Sequence, residues 1–422
     1  MQVLRSSVLG TATVIVACLA AGCGSSSHPS QSDTGATAAS KSPIVIGNET
    51  PVGAQIASYP QVPAAMDAAV TAINKSGGIQ GHPLKLVSCN TQASPNLEVD
   101  CARKNVDAGM VASVGSVPLL NPAGYESVLS DAGVADVGSW SQGPQAYSGS
   151  NTFPITFNNA DYVACLSPAT LAHARASSVA IVAVAVTASE TIVQYLKQAA
   201  AALHVRVATT VSVPLTASDY SSTVAQIQDS GAREVIVILP TSSIDAFVEA
   251  AKANGASFTT CANIANPGTT WTRLGSAGSK LIVVTPFVPP SKRTSLPLLQ
   301  SYNQQLSAED ASGQSAADPS VGNFTAQMLN AWLALQAFKQ VADSIPGPVT
   351  RASFLAGMKK ATVNFGGVMS TISFTKSESG AGGYQHVYNP LAFATTWSPD
   401  AQTFAVIPHS LIDGITYRLG GS

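Results

Sequence analysis

The sequence predicts an α/β protein with two doubly wound halves, each a parallel sheet with helices on both faces. First, apolar runs and helical patterns alternate along most of the 422 residues. Second, residues 179–186 (VAIVAVAV) and 235–239 (VIVIL) are apolar throughout, which is typical of strands covered on both faces. Third, the alternation pauses near residues 152–157 and then restarts. A chain of this length suits two domains better than one.

The first strand–helix–strand unit shows the pattern in detail. Residues 44–47 form a short apolar strand, and apolar positions recur at helical spacing from residue 62 to residue 73. Gly77 or Gly78 supplies the left-handed residue that ends this helix. After a turn, residues 84–87 begin the next strand. The connection is long enough to make the two strands parallel.

The unit then repeats through both halves. The further predicted strands are 111–115, 134–138, 179–186, 205–213, 235–239 and 281–285, and the helices are 95–108, 124–132, 189–203, 220–230, 243–254 and 323–343. The tail from about residue 366 is rich in glycine and strand-like. Ligands of such sheets bind beyond the carboxyl ends of the strands, and with two halves these edges can face each other across a cleft.

The N-terminus predicts export and a lipid anchor. The apolar run 8–19 is too short to span a membrane and indicates a signal peptide over residues 1–22. Ala-Ala-Gly-Cys, ending at Cys23, resembles a bacterial lipobox; Cys18 fits more loosely, and an ordinary cleaved signal is the alternative. Residues 23–42 are rich in Ser, Thr, Ala and Gly and predict a flexible tether with a reach of about 25 Å.

Four cysteines remain, and an exported chain with an even number predicts two disulfides, for which three connectivities are possible. Cys89 and Cys101 are close in sequence, between a strand end and a helix start, which favours their pairing. Cys165 with Cys261 then follows only by elimination. Free, buried thiols are the alternative for this second pair.

Composition excludes several functions. Only 10% of residues are charged and the formal net charge is −2, whereas nucleic-acid binding needs a basic surface. The six histidines are scattered, so we expect no metal site and no cofactor. Residues 139–143 (SWSQG) lack the first glycine of a nucleophile elbow, and residues 275–280 (GSAGSK) lack phosphate-loop spacing. We therefore do not expect an enzyme.

Three segments carry a family resemblance: IVIGNETPVG, INKSGGIQGHPLKL and DPSVGNFTAQMLNAWLALQAF. They resemble the bacterial solute-binding proteins of the branched-chain amino-acid type, the leucine-binding-protein-like type I periplasmic binding proteins, over nearly all of the chain after residue 43. The resemblance implies a periplasmic-binding-protein-like fold, with two Rossmann-like lobes joined by a three-strand hinge around a central cleft. It assigns residues 43–158 plus 285–384 to the N-lobe and 159–284 plus 385–422 to the C-lobe.

The resemblance also implies a function. A small molecule is captured between the lobes and delivered to the permease of an ABC importer by a monomeric lipoprotein on the outer face of the cell membrane. A paired-cysteine link near residues 89–101 occurs among relatives. The alternative is a sensor that signals closure to a membrane partner, which neighbouring kinase or cyclase genes would indicate. The GGIQG stretch is expected to be scaffold.

Matching the family's ligand-binding loops onto this chain predicts the site. The residues are Tyr59, Ser116, Asn121, Ser139, Trp140, Ser141, Thr187, Ser189, Thr241 and Asn266. Trp140 is expected to be a stacking platform, with packing inside the first lobe as the alternative.

The chain departs from the amino-acid-binding pattern. The loop NIANPGTT has no acid to pair with an α-ammonium group. Glu49 or Asp161 could substitute, but both are expected to be solvated loop or cap residues. The sequence therefore predicts a neutral or weakly polar ligand, with amino acids as the alternative.

Overall fold

The computed structural model describes residues 41–54, 57–141, 143–264, 268–291, 294–380, 384–400 and 402–420. The predicted signal peptide, Cys18, Cys23, most of the tether and Asn266 lie outside these residues. In the described part of the chain, no helix is both long enough and apolar enough to cross a bilayer.

The first lobe is built on a five-stranded parallel sheet. Its elements are β1 (Ile44–Thr50), α1 (Gln61–Lys75), β2 (Leu84–Asn90), α2 (Pro95–Asp107), β3 (Ala112–Val114), α3 (Pro122–Asp131), β4 (Ala135–Val137) and β5 (Thr152–Phe153). The strand order is β2-β1-β3-β4-β5. Helices α2 and α3 pack on one face of this sheet.

The second lobe follows. Its elements are α4 (Asn158–Asp161), α5 (Pro168–Ala174), β6 (Ser178–Val184), α6 (Thr187–Ala202), β7 (Arg206–Val213), α7 (Ser221–Ser230), β8 (Glu234–Ile238), α8 (Thr241–Ala253), β9 (Thr259–Asn263), α9 (Gly268–Arg273) and β10 (Leu281–Thr285). Strands β6, β8 and β10 are buried along their whole length, which confirms the sheet covered on both faces. The two-lobed α/β fold class is therefore confirmed.

The chain then returns to each lobe once more. Helices α10 (Pro297–Ala311), α11 (Ala326–Ser344) and α12 (Arg351–Met358) complete the first lobe, where α1 and α11 cover the other face of the sheet. Two short pairs follow: β11 (Thr362–Val363) with β12 (Ile372–Ser373), and β13 (Glu378–Gly380) with β14 (Tyr384–Val387). Strands β15 (Leu391–Ser398), β16 (Thr403–Val406) and β17 (Ile412–Asp413) extend the second sheet, which runs β16-β15-β10-β9-β8-β6-β7 with β17 beside β15.

The GGIQG stretch has a scaffold role. Gly78 has φ +73°, and a Cβ atom there would lie 2.0 Å from the carbonyl oxygen of His82, so only glycine fits this turn. Two residues later, Gln80 Nε2 donates to the carbonyl oxygens of Ala342 (3.0 Å) and Ile345 (2.7 Å) at the end of α11. The stretch therefore ends α1 and caps the most buried helix of the lobe.

Both predicted disulfides are present. Cys89 in β2 is joined to Cys101 in α2, with their Cα atoms 5.6 Å apart. Cys165, in the 3-10 turn Tyr162–Leu166, is joined to Cys261 in β9 across 6.1 Å. The alternative of free thiols for the second pair is excluded.

Several elements differ from the prediction. Residues 152–157, where the predicted alternation pauses, contain the short strand Thr152–Phe153, and the residues after it cross to the second lobe. Strand β9 and helices α10 and α12 were not predicted. The reason is visible in β9, where TTCAN mixes hydroxyl and amide side chains with a single apolar residue type, although four of its five residues are buried.

Candidate functional site

The carboxyl ends of strands from both sheets approach one gap between the lobes. The 3-10 turn Val321–Asn323, which precedes α11, is contacted from both sides. Gln61, at the start of the helix that follows β1, donates through Nε2 to Asn323 Oδ1 at 3.2 Å. Helix α9, which follows β9, packs against the same turn. The helices that follow β1 and β9 therefore meet at this turn.

A second bridge runs through the first crossing between the lobes. Asn158 Nδ2 donates to the carbonyl oxygen of Ser141, in the loop after β4, at 3.2 Å. Asn263, the last residue of β9, donates through Nδ2 to the carbonyl oxygen of Asn158 at 3.4 Å. Asn158 thus links the loop after a first-lobe strand, through its side-chain amide, to the end of a second-lobe strand, through its backbone carbonyl. Both bonds lie beside the crossing between the lobes.

We use "interlobe gap" for the space bounded by the loops after β1, β3 and β4 and the loops after β6, β8 and β9. None of these six loops contains Asp, Glu, Lys or Arg. The gap therefore offers hydroxyls, amides, backbone groups and apolar surface to a ligand, and no ionic side chain from its loops.

On the first-lobe side, the predicted polar residues are bonded within the lobe. Ser116 is fully buried, and its Oγ accepts from the backbone N–H of Glu49 at 3.0 Å. Asn121 caps α3, with Oδ1 accepting from Gly124 N–H at 3.0 Å. The Ser139 hydroxyl donates to Asp136 Oδ1 at 2.5 Å.

Ser141 and the two predicted aromatic residues are also packed. Ser141 is fully buried and its Oγ accepts from Gly143 N–H at 3.3 Å. Trp140 is 2% exposed and lies in the main apolar cluster, so its ring has no open face in this arrangement. Tyr59 is half-buried against the same cluster, and burial raises the pKa of its hydroxyl. The structure does not test ligand contact by these residues, which stays a prediction.

On the second-lobe side, the predicted hydroxyl residues lie at helix starts. Thr187 begins α6, Ser189 lies in its first turn and is 5% exposed, and Thr241 begins α8. These positions follow β6 and β8, as the loop matching predicted. Their ligand contacts likewise stay predictions.

Two acids flank the gap, and the expectation that they are solvated is wrong. Glu49, near the end of β1, is 0% exposed, and neither carboxyl oxygen has a hydrogen-bond partner among the described residues. Burial, reinforced by the nearby charges of Asp136 and Glu98, raises its pKa from 4.5 to about 9.

The second acid, Asp161, is also fully buried. Its Oδ2 accepts from Asn263 Nδ2 at 2.9 Å, and its Oδ1 has no hydrogen-bond partner in the described part of the chain. Burial raises its pKa well above the usual range, although the hydrogen bond from Asn263 opposes this. Glu49 therefore holds its proton at neutral pH, and burial disfavours the ionised form of Asp161.

Sequence reasoning did not single out Gln61, Asn158 or Asn323. The sequence feature that could have identified them is their position, since each carries a side-chain amide at the end of an element next to a loop of the gap. Among the described residues, one cluster has metal-ligand spacing, formed by Cys165, Glu234 and Cys261. Both of its sulfur atoms are used in a disulfide, so it offers no thiolate.

Comparison with known proteins gives a family. A family model described as periplasmic binding protein matches residues 43–397. A search of curated protein sequences finds no significant match.

Solved structures show the same fold at low identity. The substrate binding protein LivJ of a Streptococcus pneumoniae branched-chain amino acid transporter, in complex with isoleucine, is 15% identical with a TM-score of 0.67, covering 86% of this chain and 99% of that one. A fatty acid ABC transporter substrate-binding protein from Thermomonospora curvata is 14% identical with a TM-score of 0.68, covering 88% and 92%. A solute binding protein from R. palustris, in complex with 4-hydroxybenzoate, is 15% identical with a TM-score of 0.63, covering 86% and 95%.

Proposed function

Because the chain belongs to the periplasmic binding protein family, whose members bind solutes outside the cytoplasm and are not enzymes, we propose that it captures a small molecule in the interlobe gap for an ABC importer. Solved structures of the same fold include substrate-binding proteins of ABC transporters. Binding in the gap would favour a closed arrangement, which a permease can distinguish from an open one.

The lobes of this proposal are residues 43–158 plus 285–384 and residues 159–284 plus 385–422. Sheet membership supports the division, since β1 to β5 belong to one sheet and β6 to β10 to the other. The chain passes between them after β5, after β10 and before β15. Three crossings allow the lobes to rotate as bodies about a hinge.

The proposed ligand is neutral or weakly polar. The single observation that carries this is the uncharged gap: its six loops contain no ionic side chain. Of the two buried acids that flank it, Glu49 is protonated at neutral pH, and burial raises the pKa of Asp161. A zwitterion would bring an ammonium group that finds no ionised partner there, and leaving a buried charge unpaired is costly. Neutral amides and hydroxyls need only the hydrogen bonds that the gap offers.

A matched ligand screen tests this. The unlipidated protein, made by Cys23→Ser, is titrated with isobutyramide against valine and with benzamide against benzoate, pairs of related shape that differ in charge. We expect the neutral member of at least one pair to raise the melting temperature more, since a ligand at 100 times its Kd stabilises by about 2.7 kcal/mol. If valine alone binds, and Asp161→Asn abolishes it, the acid ionises for the ligand and the neutral-ligand proposal is wrong.

The membrane anchor is a separate proposal, supported by Ala-Ala-Gly-Cys ending at Cys23 and by the polar segment after it. Labelling cells with an alkyne fatty acid should mark the wild-type protein and the Cys18→Ser variant, but not Cys23→Ser. Two acyl chains hold a protein on a membrane where one does not, so Cys23→Ser should also release it. Label retained by Cys23→Ser would contradict the assignment.

A further inference from the structure

A line of buried hydroxyl groups connects β1, β3, α3 and β4 behind the gap. The backbone N–H of Glu49 donates to Ser116 Oγ at 3.0 Å, and Ser116 Oγ lies 2.8 Å from Ser113 Oγ. Ser113 Oγ lies 2.7 Å from the Tyr125 hydroxyl, which donates to Asp136 Oδ1 at 2.9 Å. Every side chain in this line is at most 2% exposed.

The direction of these bonds is determined by the two ends. An ionised carboxylate can only accept, so the Tyr125 hydroxyl gives its single proton to Asp136 and must accept from Ser113. Ser113 then has no proton left for Ser116, so Ser116 donates to Ser113 and accepts from the backbone N–H of Glu49. Ser139, 3% exposed, donates to the same oxygen at 2.5 Å. The whole line is therefore satisfied by one acceptor, Asp136 Oδ1.

The same line holds three loops of the gap. Ser116 lies in the loop after β3, Ser139 lies in the loop after β4, and Glu49 precedes the loop after β1. A further acid supports the loop after β3 from behind: Glu98 in α2 accepts from the N–H groups of residues 119, 120 and 121 at 3.0, 2.9 and 2.6 Å. Loops that carry predicted ligand-contact residues are thus hydrogen-bonded to buried side chains of the lobe interior.

We propose that Asp136 and Tyr125 are positioning residues that set the relative placement of the three first-lobe loops of the gap, and that this placement depends on the ionised carboxylate of Asp136. The inference rests on the proposed function for its consequence, ligand affinity, but the loop placement itself can be measured without a ligand. A charged acceptor forms roughly twice as strong a hydrogen bond as a neutral one.

The surroundings of Asp136 give the pH range. Burial raises its pKa to about 6, and hydrogen bonds from Ser139, Glu126 and Tyr125 limit the rise. The facing Glu126 in α3 has its pKa raised well above its usual range, chiefly by burial and then by the charge on Asp136. Glu49 is protonated up to about pH 9. The cation of α12, Arg351, donates to the carbonyl oxygens of Val106 and Met110 instead.

The expected behaviour is a loss of loop order on acidification. Below about pH 6, Asp136 takes up a proton and becomes a weaker acceptor for two hydroxyls at once. Folding stability does not fall with this proton, because an acid with a raised pKa in the folded state favours folding more at low pH. Loop order and global stability should therefore change in opposite directions, which a merely structural role does not predict.

Hydrogen–deuterium exchange of the unlipidated protein tests the proposal. Tyr125→Phe removes the link between Asp136 and Ser113 without changing volume, and should lower the protection of amides 116–121 by about tenfold, the effect expected from losing one such bond. Tyr302→Phe, at another buried tyrosine of the first lobe, is the matched control and should leave these amides unchanged.

The pH profile completes the test. After correction for intrinsic exchange, wild-type protection of amides 116–121 and 139–141 should fall between pH 7.5 and pH 5, and Asp136→Asn should remove this dependence. Wild-type protection that is independent of pH, or equal protection in Tyr125→Phe and wild type, would overturn the proposal. If Asp136→Asn fails to fold, Tyr125→Phe and the wild-type profile still decide. Since no ligand is used, failure here leaves the solute-binding proposal intact.

Discussion

Replacing Glu49 by glutamine should stabilise the protein, and increasingly so at higher pH. Glu49 is fully buried without a hydrogen-bond partner in the described part of the chain, and its pKa is raised from 4.5 to about 9. In the unfolded chain the same carboxyl is ionised above pH 4.5. Folding at neutral pH must therefore take up a proton, which has a free-energy cost that glutamine does not have.

The magnitude follows from the pKa difference. One pH unit is worth about 1.4 kcal/mol, so the cost of Glu49 is fully absent below pH 4.5 and grows by that amount per unit until the folded pKa near 9. At pH 7 it is about 3 kcal/mol. The side-chain amide of glutamine would lack a hydrogen-bond partner just as the neutral acid does. Wild type and Glu49→Gln should therefore be nearly equal in stability at pH 5.

Urea unfolding at pH 5, 6, 7 and 8, followed by circular dichroism, measures this difference. Glu49→Gln should gain about 1.4 kcal/mol over wild type per pH unit. The matched control is Glu249→Gln on the exposed face of α8, where the side chain is solvated in both states and the pH slope of wild type should be kept. A constant difference between Glu49→Gln and wild type from pH 5 to pH 8 would refute the reasoning.

Three further outcomes are expected. Replacing Cys165 and Cys261 by serine removes a disulfide between residues 96 apart in sequence, which restricts the unfolded chain. The replacement should lower the unfolding free energy by about 4.7 kcal/mol in non-reducing urea titrations. Gln80→Ala removes both N–H donors that cap α11 and should lower the unfolding free energy by about 2 kcal/mol. Gln80→Glu keeps the shape of the side chain but not the donors, and should lower the unfolding free energy by at least as much. Gly115→Ala places a Cβ 2.6 Å from Ala331 Cα at φ +63° and should lower the melting temperature of purified protein by several degrees or prevent folding.

Local patterns were sufficient where one physical requirement dominates a segment. The eight apolar residues 179–186 can only be a strand buried on both faces, and β6 is buried from Ser178 to Val184. The glycines at 77 and 78 ended the first helix because glycine, without a Cβ atom, takes positive φ at no steric cost. The close spacing of Cys89 and Cys101 likewise identified the first disulfide.

Segments with mixed composition could not be read in this way. The strand β9 (TTCAN) has no apolar run, and becomes a central strand only because β8 and β10 flank it. For the site, loop positions were predictable from strand ends, but the partners of each side chain were not. Ser116 and Ser139 are residue types expected of ligand contacts, but their hydroxyl groups bond to Ser113 and Asp136, on the preceding strands.

The sequence by itself determined the two-lobed α/β architecture, the uncharged loops around the gap and the favoured pairing of Cys89 with Cys101, because periodicity, composition and spacing act over a few residues. Only the tertiary structure decided that Glu49 and Asp161 are buried instead of solvated, and that one carboxylate, Asp136, completes the hydrogen bonds of three loops. The reason is that the burial and the hydrogen-bond partner of a polar group depend on which distant elements pack over it. A single amino-acid sequence does not show those contacts directly.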